Sequence, residues 1–220
     1  MNIEAPIKPN RRRKAPKEER RRQLIDAAIK TIAEKGISGT TTSDVTRAAG
    51  LSAGIVSLHF GGKDGLLTET LRFLATELRD VWVEAYEDPA RSADDKLRAV
   101  VEGMFDPRVC TPDKIAAWFA YFGEAKYRAV YRELVDDFDN ERTDAIEALC
   151  AQLKDEGGYH SVDPEALSIS LESLADGFWL SLALYPDWKS PSNFMQSVFD
   201  LLAAHFPKHF KAQIADCGAS

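Results

Sequence analysis

The chain has 220 residues, of which 45% are apolar and 29% charged, with a net charge of -7, so it can bury a core and carries an ordinary charge load for a globular protein. No uncharged apolar run of about 18 residues is present, which predicts no membrane span, and the polar, Arg-rich start lacks the apolar stretch of a secretory signal. Three cysteines without CxxC spacing, Cys110, Cys150 and Cys217, exclude a disulfide framework and fit a reducing, cytoplasmic setting.

The charge is unevenly spread. Residues 1–65 hold 13 Lys/Arg against 7 Asp/Glu, a surplus of six, whereas residues 66–220 hold 15 against 28, a deficit of thirteen. A polyanion is drawn to the first part and repelled by the second.

In chain order, residues 1–16 carry Pro6, Pro9, Pro16 and the basic run Arg11–Lys14, and read as a mobile basic arm. From Lys17 an apolar stripe of Leu24, Ala27, Ala28 and Ile32 predicts a helix closed by Gly36. A short helix follows over Ser43–Ala49 and ends at Gly50. Ser52 is placed to cap the next helix, Ala53 to about His59. Gly61-Gly62 breaks the chain, and Lys63 opens a long helix to about Tyr86. Beyond Pro89 the pattern stays helical, with breaks at Pro107, Pro112, Gly157-Gly158, Pro164, Pro186 and Pro191, residues that start or stop helices. No window alternates with period two long enough to require a strand. The expectation is an all-α protein of about nine helices: an arm (1–16), a DNA-binding domain (17–65), a helical ligand-binding and dimerisation domain (66–212) and a flexible tail (213–220).

Thr42–Phe60 has the layout of a helix-turn-helix. Val45, Ala48 and Ala49 pack the first helix, Gly50 turns, Leu51 fills the gap, and the small residues Ser52, Gly54 and Ser57 let the second helix settle into a major groove about 12 Å wide. An ordinary helical hairpin has the same pattern. The run Gly50-Leu51-Ser52-x-Gly54-x-Val56-x-x-His59-Phe60-x-x-Lys63-x-x-Leu66, with Arg22–Ala28 before it, resembles the helix-turn-helix of the TetR family of repressors. The resemblance implies that Thr42 starts the positioning helix and meets a phosphate. It also implies that Ser52, Ala53, Ile55, Ser57 and Leu58 face the groove, that His59 and Lys63 grip the backbone, and that Leu51, Val56 and Phe60 pack. Many members have Tyr where this chain has Ser57. The basic arm either reaches the minor groove or merely solubilises the chain.

In the second part, Trp118, Tyr121 and Phe122 share one helix face, and Trp82, Met104, Tyr127, Phe178 and Trp179 are candidates to close around them. Such a group is either core or a cage for a quaternary ammonium, which aromatic faces attract. The segments Ala117–Phe122 and Asp176–Leu180, with Gly54–Phe60, where Ser57 is expected, and Lys63–Leu67, resemble the BetI branch, the choline-responsive repressors of betaine synthesis. This implies a choline-like effector, with related amines or an unrelated molecule left open. The apolar stripes Leu167, Leu171, Leu174 and Phe194, Val198, Leu201, Leu202 are expected, from the family, to pair with a second copy in a homodimer that matches a palindromic operator. Double-stranded operator DNA, the effector and a second copy are thus the expected partners. Asp136–Asp139 reads as a solvated acidic face. His205 and His209 are four apart, but Pro207 between them argues against a metal site. No cofactor is expected. No GxSxG, P-loop or HExxH motif is present, so an enzyme acting on a bound amine is the weak rival.

Overall fold

The computed structural model describes residues 17–124, 128–185 and 191–211; the basic arm, Tyr127 and the tail from residue 212 lie outside them. The described residues are all-α, with no strand, in ten helices: α1 (Lys17–Gly39), α2 (Thr42–Ala48), α3 (Ile55–Phe60), α4 (Lys63–Asp80), α5 (Val83–Glu87), α6 (Ala93–Met104), α7 (Pro112–Gly123), α8 (Arg128–Gly157), α9 (Pro164–Leu184) and α10 (Pro191–His205).

Local chemistry sets most boundaries. Gly36 leaves the helical region at φ 69° and interrupts α1, a conformation cheap only for glycine. Pro112, Pro164 and Pro191 each open a helix, where a missing N–H costs nothing. The Thr111 hydroxyl and the Asp163 carboxylate cap α7 and α9. One expectation fails: the helix from Lys63 does not continue to Tyr86 but stops at Asp80 and restarts at Val83. The reason is tertiary. Trp82 turns into the core, 1% exposed, and α6 passes so close that a Cβ on Gly103 would lie 3.0 Å from the Trp82 Cβ.

The apolar side chains sort into two cores. The smaller holds Leu24, Ala27, Ala28, Val45, Ala49, Val56 and Leu66; the larger takes Ile25, Ile29, Ile32, Leu67, Leu71 and Leu74 together with the inward residues of α6–α10. Helices α1 and α4 therefore face both ways. A fully buried Leu or Ile contributes about 1.5–3 kcal/mol, so α1 ties the N-terminal head to the body by packing as well as by chain connection. The body also grips α1 directly: α7 packs along it, and Ser38 donates to the Glu124 carboxylate at 2.9 Å.

The stripes expected to dimerise are corrected here. Leu167, Leu171, Phe194, Val198 and Leu202 are buried in the body's own core, at most 6% exposed, because α9 and α10 pack against each other and against α8 and α6. Leu174 and Leu201 are half-buried. The apolar residues that these helices turn outward are Ile169, Leu180 and Leu184, at 55%, 44% and 59% exposure. Helix α9 is also the one described helix long and apolar enough to cross a bilayer, and its inward face is spent on this packing.

Candidate DNA-reading head and effector cavity

The head is built on α1. Its Gln23 side chain donates to the Ala49 carbonyl at the end of α2 (2.7 Å). Its Arg21 donates to the His59 carbonyl in α3 (2.6 Å) and to Glu69 in α4 (3.0 Å), with the guanidinium over the Phe60 ring. One half-buried arginine thus fixes α3 against both neighbours. Helix α2 starts at Thr42, but its cap is Thr41, whose hydroxyl accepts the Asp44 N–H at 3.1 Å. Lys35 and Thr41 hold the Asp44 carboxyl down to about 2. Gly50 takes φ 64°, the left-handed turn that the motif requires, and the Leu51 N–H returns to the Thr46 carbonyl at 2.8 Å.

Helix α3 begins at Ile55, two residues later than expected, and the Ser52 carbonyl, not its hydroxyl, takes the Ile55 N–H. Ser52, Ala53, Ser57 and Leu58 form an exposed face, Leu58 at 77%. An apolar side chain so exposed beside small polar groups suits contact with groove walls and thymine methyls. Ile55 departs from its expected place. It is half-buried against the head core, so packing claims its side chain. His59 is half-buried, its Nδ1 enclosed without a partner, and Lys63, half-buried at the start of α4, reaches the Ser38 carbonyl at 3.5 Å. Arg47, exposed at the end of α2, is a further cation on the head that the motif did not single out.

In the body a half-open cavity of about 210 Å³ lies between α4, α6, α7, α8 and α9. Met104, Trp118, Phe122 and Trp179 line it. Three other expected ligand residues stand elsewhere. Tyr121 is fully buried, its hydroxyl donating to the Leu67 carbonyl in α4 at 2.6 Å. Phe178 stacks on Phe194, centroids 4.5 Å apart. Trp82 lines only a small adjoining chamber beside Trp118 and Arg142, and Tyr127 lies outside the described residues. A fourth aromatic wall is Tyr131, with ring centroids 6.1 Å from Trp118 and 5.1 Å from Phe122.

The polar side of the cavity comes from α8 and α9: Asp139, Arg142, Thr143, Glu172 and Asp176. Arg142 is nearly buried and donates twice to Glu172, at 2.7 and 2.8 Å, and once to Asp139 at 3.3 Å. Burial works against its charge, but the bonds and field of Glu172 and Asp139 outweigh it and raise its affinity for the proton. Burial first, then the charge of Glu172, pushes the Asp139 and Asp176 carboxyls above their ordinary range. Burial likewise raises the Tyr131 phenol. With every carboxylate ionised, three negative charges face one positive charge. The Asp136–Asp139 stretch is therefore not all solvated face. Its last member lines the cavity, a placement that α8 makes possible because Tyr131, Asp139 and Arg142 fall on one side at spacings of eight and three. That spacing was the available signal.

Among the described residues no cluster of His, Cys, Asp and Glu is arranged for a metal. His205 donates to the Leu201 carbonyl, and His209 shares a hydrogen bond with the Tyr159 hydroxyl. Burial pushes the thiols of Cys110 and Cys150 up to about 11 and about 12, which leaves them protonated and unreactive at neutral pH.

Residues 24–70 match the family model described as bacterial regulatory proteins, tetR family, and residues 93–207 match that of the BetI-type transcriptional repressor, C-terminal. The chain belongs to the TetR family, in its BetI-type branch. Among curated relatives, the HTH-type transcriptional regulator BetI of Burkholderia thailandensis is 36% identical over 198 residues, covering 86% of this chain and 95% of that protein. BetI 2 of Chromohalobacter salexigens is 32% identical, covering 90% and 95%. A solved transcriptional regulator from Pseudomonas aeruginosa PAO1 superposes with a TM-score of 0.72 at 26% identity, covering 90% of this chain and 97% of its own. One from Saccharomonospora viridis, solved in complex with choline, superposes at 0.71 with 22% identity over 84% and 96%, a likeness of fold. This TetR-family member is accordingly a DNA-binding transcriptional regulator, with α2 and α3 as its helix-turn-helix.

Proposed function

We propose that this regulator is a cytoplasmic repressor, dimeric on a palindromic operator, that is released when a quaternary ammonium cation such as choline enters the body cavity, and that it controls genes of betaine synthesis. The observation that carries the reading is the composition of the cavity: four aromatic walls, Trp118, Phe122, Tyr131 and Trp179, beside a carboxylate surplus of two. Aromatic faces attract a desolvated cation by about 2 kcal/mol or more, and the uncompensated carboxylates lining the half-open cavity favour a positive guest. The BetI name of the relatives and the choline bound to the Saccharomonospora viridis protein support the same ligand class. On the DNA side, Ser52, Ala53, Ser57 and Leu58 face the groove, while Thr42, Arg47, His59 and Lys63 lie toward phosphates.

Release follows from spacing. Two recognition helices must sit about 34–36 Å apart to meet successive major grooves, so a ligand that favours another separation expels the dimer from DNA without touching α3. The test is an operator titration with and without choline, alongside choline binding followed by tryptophan fluorescence. Choline is expected to weaken operator binding at least about fivefold, within the usual range of allosteric coupling. Its affinity also has a defined pH dependence. Asp139 and Asp176 hold their protons to higher pH than ordinary carboxyls, so their contribution to folding is present below the ordinary value and lost as pH rises through the raised ones. A cation prefers the ionised pair, and choline binding should strengthen as pH rises through those raised values and then level off. Affinity that falls with rising pH contradicts the cavity assignment.

The dimer is assigned to the outward face of α9, Ile169, Leu180 and Leu184, with the half-buried Leu174 of α9 and Leu201 of α10 at its border. Leu180→Glu is expected to give a folded monomer by light scattering that has lost most operator affinity. A variant that stays dimeric moves the interface elsewhere.

A further inference from the structure

The cavity and the recognition helix are joined by α4, and two features fix its ends. At its start, Gly65 abuts the carbonyl of Phe60, the last residue of α3. In its last turn, Arg79 donates twice to Glu141 of α8, at 2.6 and 2.7 Å, a bidentate geometry stronger and more directional than a single ion pair. Glu141 is absent from the cavity lining, but the next residue on α8, Arg142, is the cavity's only guanidinium among the described residues. Arg79 and Arg142 also border the same small chamber, with Asp139 and Trp118 between.

We infer that the Arg79–Glu141 pair is the clamp through which an occupied cavity moves α4, so that Glu141 and Arg79 position the DNA-reading head without touching either ligand. The inference rests on the cation reading of the cavity. A cation among Asp139, Glu172 and Asp176 competes with Arg142 for the same carboxylate oxygens. In a low-dielectric site, charges of like sign cannot share those oxygens without one shifting. Arg142 and Glu141 are consecutive on one rigid helix, so a shift of that turn is felt at Glu141 and passes to Arg79. From there α4 carries it as a unit, because Leu67, Leu71 and Leu74 are fully packed along its body face. Two further bonds join the body to α4, Lys114 of α7 with Glu77 and the Tyr121 hydroxyl with the Leu67 carbonyl, but both come from α7, whereas the charged groups of the cavity lie on α8 and α9.

The test uses the full-length protein and choline as probe. Glu141→Gln alters a pair whose side chains are 31% and 40% exposed and keeps the side-chain shape, so folding should persist. The expected result is choline affinity and choline-free operator affinity both within about threefold of wild type, with loss of most of a release factor of about 5- to 150-fold. The charge swap Arg79→Glu with Glu141→Arg is expected to restore release. If Glu141→Gln releases DNA as wild type does, or if the swap stays uncoupled, the clamp is overturned while the cavity reading stands. If wild-type protein takes up no choline, the cavity reading falls and the clamp with it.

Discussion

Gly65→Ala is expected to destabilise the protein by about 1–3 kcal/mol, the usual cost of forcing an extra carbon into a packed site, and to remove most operator affinity. The added Cβ would lie 1.9 Å from the Phe60 carbonyl oxygen and 3.1 Å from its carbon. Both are backbone atoms, so no side chain can swing away. Relief requires moving the end of α3, yet α3 is held there by Arg21 on the His59 carbonyl and over the Phe60 ring. The strain therefore falls on the helix that reads DNA. A drop of several degrees in melting temperature is expected, at roughly 2–4 °C per kcal/mol for a chain of this size. Gly54→Ala is the control. Gly54 has φ -74° and nothing within 4 Å of its added Cβ, so its melting temperature should hold or rise. Equal melting of Gly65→Ala and wild type would refute the close approach of α3 and α4.

Tyr131→Leu is expected to weaken choline binding about 10- to 30-fold. The ring is a wall of the aromatic set with Trp118, Phe122 and Trp179, and loss of about 2 kcal/mol of cation–π attraction corresponds to that factor at 1.4 kcal/mol per decade. Tyr131→Phe keeps the ring and loses only the 3.3 Å hydrogen bond to Asp139, so its affinity should fall no more than a few-fold. Calorimetric titration separates the two. Tyr131→Leu should bind operator normally without ligand, since Tyr131 packs with the body's aromatic residues and takes no part in the head core. If it binds choline as tightly as wild type, Tyr131 is no wall of the ligand site.

The α7 aromatics show how a helical period is read from sequence and where that reading stops. Spacing put Trp118, Tyr121 and Phe122 on one face, yet Trp118 and Tyr121 are buried while Phe122 is 39% exposed. Only the packing distinguishes them. Trp118 and Phe122 border the cavity, whereas the Tyr121 hydroxyl is committed to the Leu67 carbonyl. The same holds for α9 and α10, where apolar stripes mark buried faces but do not say whether the burial is within the chain or against a second copy. For Leu167, Leu171, Phe194, Val198 and Leu202 it is within.

What the sequence determined by itself is local and near in the chain. Glycine and proline positions, helix caps, the basic start and the motif from Gly50 to Leu66 specify an all-α regulator with an N-terminal helix-turn-helix, because each depends on backbone preference or on spacing within a turn or two. What only the tertiary structure decided is which distant residues share a space. Tyr131, Asp139 and Arg142 on α8 meet Trp118 on α7 and Glu172 on α9 across gaps of 13 to 41 residues. Nothing in local propensity encodes such a meeting. It arises when helices with two apolar faces settle against one another, and the carboxylates left inside then set the charge of the cavity.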